Sequence, residues 1–277
     1  MITDLSNQAC PPPGIRPRLR NDPNQSVLSR DWTTAGLAAN PRYGHFTRIP
    51  GRIVRCLDYF NVNCDSFAVT RILAAYYLFI AVVDDSLDRG ETKVADTVFT
   101  HLSISQPAAV PQLSQVAIIT ENLKRQLNYE VDLGIRNQFV LLYDAVRHEK
   151  AVTSIQAYVE ARKVVGRLTA DLSYQLIAPL LADDHQPLRT FMTRVGEVGC
   201  LIDSVIDLGD DHRAGLLNFQ PTLGDHLQLA MIACREGLAI TFAHPRLAGM
   251  FALSILDNIH DRFPTRTPPA PAVPEEA

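Results

Sequence analysis

The chain has 277 residues, 47% of them hydrophobic, with 26 Lys and Arg against 30 Asp and Glu and a formal charge of −4. That balance fits a globular protein of one or two domains. Without a basic run it lacks the electrostatic footprint that nucleic-acid binding needs, so no nucleic-acid partner is expected. The five cysteines, Cys10, Cys56, Cys64, Cys200 and Cys234, are scattered without a CxxC pair, which excludes a disulfide framework or a zinc site on spacing.

Residues Met1–Arg20 hold no apolar core of signal-peptide length. The longest apolar run, Ile72–Val83, stops at two aspartates and is too short to span a bilayer. The expectation is a reduced, cytoplasmic protein with no transmembrane segment.

Proline placement divides the chain. Seven of the 18 prolines fall in residues 1–50 and five in 264–277. Residues 1–45 are therefore expected to be loosely ordered, 264–277 to form a disordered Pro-rich tail, and 46–263 to form one all-α domain. The remaining prolines (107, 111, 179, 187, 221 and 245) separate long apolar-periodic segments, as helix breakers do. The segments predict helices over about 50–60, 66–89, 92–103, 112–147, 151–182, 188–214, 223–243 and 246–262.

Two of these helices end in carboxylates. Phe67–Val83 is apolar nearly all round, with Arg71 its one charge, which suits the middle of a bundle. It delivers Asp84, Asp85 and Asp88 just before Gly90, a candidate C-terminal cap. In the second, Asp203, Asp207 and Asp211 recur at i, i+4 and i+8 before Gly215, with Asp210 beside them. Gly196 and Gly199 are expected to leave open space one turn below. Carboxylates at a helix C-terminus oppose the macrodipole, so something positive should compensate them. If the helices run side by side, six carboxylates face each other across a cavity mouth. Hard oxygen ligands of this kind suit Mg²⁺, in a cluster of two or three ions, with Mn²⁺ as an alternative. The other interpretation of either cluster alone is a solvated helix end, and the pairing is what argues against it.

These residues resemble a known family. YLFIAVVDDSLD, Tyr77 to Asp88, is similar to the first aspartate-rich motif of squalene/phytoene synthases, with a tyrosine seven positions before the DxxxD. DSVIDLGDDHRAG, Asp203 to Gly215, resembles their second motif, and the i, i+4, i+8 triad also resembles the second metal motif of class I terpene cyclases. The resemblance covers roughly residues 66–220 and implies the class I isoprenoid (terpenoid) synthase superfamily. It implies an all-α bundle around an apolar active-site cavity, Mg²⁺ dependence and a prenyl diphosphate substrate. By position, Asp84, Asp88, Asp207 and Asp211 would be metal ligands, with Asp203 in the place of an asparagine. Head-to-head synthases usually carry arginines where this chain has Ala81 and Ile206.

An allylic cation needs an apolar cavity lined with aromatic faces. Tyr76, Tyr77, Phe79 and Tyr174 are the candidates, with Gly199 beside them and Tyr77 favoured because the resembled motif places a tyrosine there. Candidates for binding the diphosphate are Arg213, in the position of a basic residue of the resembled motif, and the cluster Arg162, Lys163 and Arg167 around Gly166. A solvated helix face is the alternative for that cluster.

The first expectation is a Mg²⁺-dependent class I terpene synthase that ionises one prenyl diphosphate and cyclises or deprotonates the carbocation. The alternatives are a squalene/phytoene synthase-like head-to-head prenyltransferase, prenyl transfer to a non-prenyl acceptor, or a non-catalytic relative that binds prenyl diphosphate. No glycine-rich dinucleotide loop supports a reductive step, and a homodimer is compatible with such a bundle.

Overall fold

The computed structural model describes residues 44–90 and 133–262, and every regular element among them is helical. The chain is an all-α, single-domain bundle. The expected helix 92–103, the first part of 112–147, the segment 1–43 and the tail 264–277 lie outside the described residues.

After a 3₁₀ turn at Gly44–Arg48, the helices are α1 (Ile49–Tyr59), α2 (Ser66–Asp88), α3 (Leu133–Ala151), α4 (Ile155–Ile177), α5 (Gln186–Arg213), α6 (Leu223–Ala243) and α7 (Ala248–Arg262). Their ends follow local chemistry. Asp65 accepts hydrogen bonds from the amides of Phe67 and Ala68 at 3.0 and 3.2 Å and so starts α2. Ser154 caps α4 in the same way, and Thr222 and Asp225 form a reciprocal capping box on α6. Pro187, in the first turn of α5, is placed where its missing N–H is harmless.

The stops are equally local. Asn61 (φ 54°) and Gly215 (φ 73°) adopt the left-handed backbone that ends α1 and α5. In each case the next amide, Val62 or Leu216, reaches back to a carbonyl five residues earlier at 2.9 Å. Gly90 (φ 77°) ends α2, its amide 3.0 Å from the Leu87 carbonyl. Gly90 and Gly215 thus fix where the two carboxylate-bearing helices terminate.

Among the described elements helix α2 is the most buried, from Val69 through Leu87. It is long and apolar enough to cross a membrane by length and composition, unlike the twelve-residue run within it, and 67% of its most apolar window is buried inside the bundle. Helices α6 and α7, bent at 114°, pass the same test only when taken together. Helix α4 is the hub, packing against α2, α3, α5 and α6. At the far end from the carboxylates, Phe60, Phe191 and His244 cluster at ring-centroid distances of 4.8–5.7 Å and tie α1, α5 and the end of α6 together.

The α4–α5 contact depends on two glycines. A Cβ on Gly166 would strike the Gly196 carbonyl, 2.7 Å from its carbon, and one on Gly196 would strike the Gly166 carbonyl and lie 2.6 Å from Ala170 Cβ. Gly196 therefore does not leave the open space expected from the sequence; it lets the two backbones touch. Gly199 has nothing within 4 Å of its Cβ position.

This contrast is testable by urea denaturation. Gly166→Ala or Gly196→Ala should destabilise the fold by about 1–3 kcal/mol, since neither neighbour is a flexible side-chain end that could yield. Gly199→Ala should be neutral or stabilising by about 0.5–1 kcal/mol through helix propensity.

Candidate active site

Four helices converge at one end of the bundle around a cleft of about 30 Å³. Helix α2 contributes Asp84 and Asp88, α3 Glu149 and Lys150, α4 Tyr158 and Arg162, and α5 Asp203, Ser204, Asp207 and Asp211. Leu216 and Leu217 close one side. Helices α2, α3 and α5 arrive by their C-termini, so three negative dipole ends join six carboxylates. Asp207 and Asp211 are buried at 4% and 8% exposure, where an uncompensated carboxylate is costly.

Arg162 is the main counter-charge. Its Nε donates to Ser204 Oγ at 2.7 Å, its Nη1 to both Glu149 oxygens at 3.3 Å, and its Nη2 to Asp203 Oδ2 at 3.2 Å and the Cys200 carbonyl at 3.3 Å. Burial alone would lower its pKa, but the surrounding Glu149, Cys200, Tyr158 and Asp203 outweigh burial and hold it well above the ordinary value. Lys150 Nζ donates to Asp88 Oδ1 at 2.7 Å. Burial opposes its charge too, and Asp84, Asp88 and Glu149 together raise its pKa. Tyr158 Oη donates to Ser204 Oγ at 3.3 Å, and burial pushes that phenol up to about 12. Asn258 of α7 adds an amide 3.5 Å from Asp203 Oδ1.

The structure thus brings Asp84, Asp88, Asp203, Asp207 and Asp211 to one cleft and sets the other candidates elsewhere. Asp85 turns outward to Arg89 Nη2 at 3.0 Å. Arg213 is 78% exposed and pairs with Asp210. Two residues along a helix is about 200° of rotation, which carries Arg213 off the Asp211 face. Lys163 pairs with Glu160 at 3.4 Å and Arg167 with Glu197 at 3.4 Å, so of the basic cluster only Arg162 lines the cleft.

The aromatic candidates are packed into the core. Tyr77 Oη lies 2.9 Å from Ser173 Oγ, with its phenol pushed up to about 12 by burial, and Tyr76 donates to the Thr169 carbonyl at 3.1 Å. Phe79 sits edge-on to Phe139 at 5.8 Å. Tyr174 donates to Asp184 at 2.7 Å, near the start of α5 rather than its acidic end. Gly199 is exposed on the surface of α5. The cavity at the acidic helix ends is consequently polar. A larger apolar hollow of about 440 Å³ lies beside the first turns of α5, among Phe60, Phe191, Ile240 and His244.

Glu149 and Lys150 carry no signal in the aspartate motifs, although a basic residue in the last turn of a helix is a general counter to its dipole. As a metal site, the donor set is carboxylate oxygen, the type that hard cations select. Among the described residues, no three His, Cys, Asp or Glu side chains stand close enough to hold an ion between them. Mg²⁺ characteristically takes only one or two carboxylates, completed by water and substrate phosphate, so the donors fit that ion without forming a closed cage. No protein-family model matches the chain, nor does any curated protein or any solved structure.

Removing the cations should expose what they hold. Arg162→Met should cost about 3–5 kcal/mol in urea unfolding without divalent ions, since it strands the partly buried carboxylates of Glu149 and Asp203 and the Ser204 hydroxyl. Lys150→Met, at a partly exposed pair, should cost about 1–3 kcal/mol. Because the folded pKa of Lys150 is raised, its contribution is complete below the unfolded value and is lost as pH rises through the folded one. The difference between wild type and Lys150→Met should therefore stay constant from about pH 7 to 10 and shrink only above that.

Proposed function

We propose that the chain is a Mg²⁺-dependent class I terpene synthase that ionises one prenyl diphosphate and cyclises or deprotonates the resulting carbocation. The observation that carries this is the meeting of Asp84 and Asp88 with Asp203, Asp207 and Asp211 in a single cleft, although the two groups lie more than a hundred residues apart in sequence. Nothing in bundle stability calls for that arrangement, which concentrates like charge at three helix C-termini.

Asp84, Asp88, Asp207 and Asp211 would hold the metal ions. Mg²⁺, when bound, supplies Lewis-acid stabilisation of the departing diphosphate. Arg162 and Lys150 would exchange part of their present carboxylate bonding for diphosphate oxygens, and Arg162 can do so with a planar, two-pronged donor set. Leu216 and Leu217 would shield the head group from water. At about 30 Å³ the ion-paired cleft has room for an ion and water, so the diphosphate must widen it on entry.

Head-to-head condensation fits less well. It requires two diphosphates held at once, and the positions at which the resembled synthases carry arginines are the fully buried Ala81 and the half-buried Ile206.

The test is diphosphate release from geranyl, farnesyl and geranylgeranyl diphosphates with Mg²⁺ or EDTA, followed by mass spectrometry of the organic extract. A Mg²⁺-dependent product with the carbon count of one substrate is expected. A product of twice that count would make the chain a head-to-head synthase, and no release would make it at most a binding protein. Asp84→Asn and Asp207→Asn should each lower release by at least ~10²-fold with an unchanged melting curve. Near-normal turnover in either variant would refute the assignment of the metal ligands.

A further inference from the structure

Helix α6 carries an apolar surface that the rest of the described bundle does not use. Leu229, Ala233 and Ile240 face inward and are buried, and Gly237 approaches Val198 of α5. The outer face presents Leu223, Leu227, Met231, Leu238 and Phe242 at 78, 57, 66, 55 and 80% exposure, with Cys234 exposed among them. The charge on this face is Arg235, which pairs with its neighbour Glu236 at 2.8 Å. The stripe runs nearly the full helix, about 28 Å at 1.5 Å per residue. A continuous apolar strip of this length marks an interaction surface.

Its spacing indicates the occupant. Leu223 and Phe242, Leu227 and Leu238, and Met231 and Cys234 are three pairs, each symmetric about the midpoint between Ile232 and Ala233. When two copies of a helix cross antiparallel on a two-fold axis at that midpoint, each residue faces its symmetric counterpart. Leu223 then meets Phe242, Leu227 meets Leu238, and Met231 meets the smaller Cys234, with no charged side chain in any of the three pairs. An unrelated partner or a lipid surface imposes no such symmetry. A lipid surface also favours helices bordered by several Lys and Arg, and this face offers one arginine already engaged.

We propose that the chain forms an isologous dimer through an antiparallel α6–α6 pair centred between Ile232 and Ala233. The five large side chains offer on the order of 600 Å² per copy, the low end for a specific interface, so association is reversible and concentration-dependent.

Sedimentation of the full chain over about 1–100 µM should move from the 30.7 kDa single-chain mass to twice that mass. Leu227→Glu, an exposed position, should abolish the shift while leaving the circular dichroism spectrum and melting temperature unchanged. The register has its own test. Met231→Cys should cross-link to Cys234 of the second copy under mild oxidation, giving a covalent dimer on a non-reducing gel. Adding Cys234→Ser should remove that band, and Leu223→Cys should not produce it. A single-chain mass at every concentration would overturn the proposal, as would a dimer that survives Leu227→Glu. So would a monomer that binds neutral phosphatidylcholine vesicles and loses that binding in Leu227→Glu.

Discussion

Like charge gathered at one end of the bundle is the constraint to which the rest of the structure answers. Six carboxylates line one cleft, and α2, α3 and α5 point their negative ends at it. Among the described lining residues, two cations oppose them. Arg162 bridges α4 to Glu149 of α3 and to Asp203 and Ser204 of α5, while Lys150 ties α3 to Asp88 of α2. The cations that offset part of this charge therefore also lock four helices together. A site that binds a dication and its anionic ligand would replace one set of electrostatic ties with another at the same place.

Packing supplies the rigidity that makes this charge arrangement sustainable. The Gly166–Gly196 contact lets α4 and α5 approach to backbone contact, one turn along α4 from Arg162 and two turns along α5 from Asp203. Two helices held that closely fix the reach of Arg162 to Asp203 and Ser204. On the other side, Tyr76 and Tyr77 of α2 hydrogen-bond to Thr169 and Ser173 of α4, fixing the register of the first acidic helix against the hub. The aromatic residues beneath the motif thus position the carboxylates from within the core and do not line the cleft.

Much of this is legible in the sequence because it is local. The boundaries of α1, α2, α5 and α6 follow from Pro50, Asp65, Gly90, Pro187, Gly215 and Thr222, whose effects act over a single turn. The convergence of the acids is legible because both stripes occupy the last turns of apolar helices. Tertiary register is not legible. Gly196 signals a small volume, and only the neighbouring helix decides whether that volume is a void or a contact. Lys163 adjoins Arg162 in sequence, but one residue is about 100° of helix, enough to send it to Glu160 on the surface. Lys150 and Glu149 belong to a third helix whose placement no motif encodes.

The most direct test of the central claim is calorimetric titration of Mg²⁺ into the protein in the presence of inorganic diphosphate, for wild type, Asp84→Asn and Asp207→Asn. Joint, mutually dependent binding of metal and anion in wild type, lost when a carboxylate on either helix is removed, is the predicted result. Binding that survives in both variants, or no heat of binding in wild type, would contradict the claim that the acidic cleft is a metal–diphosphate site.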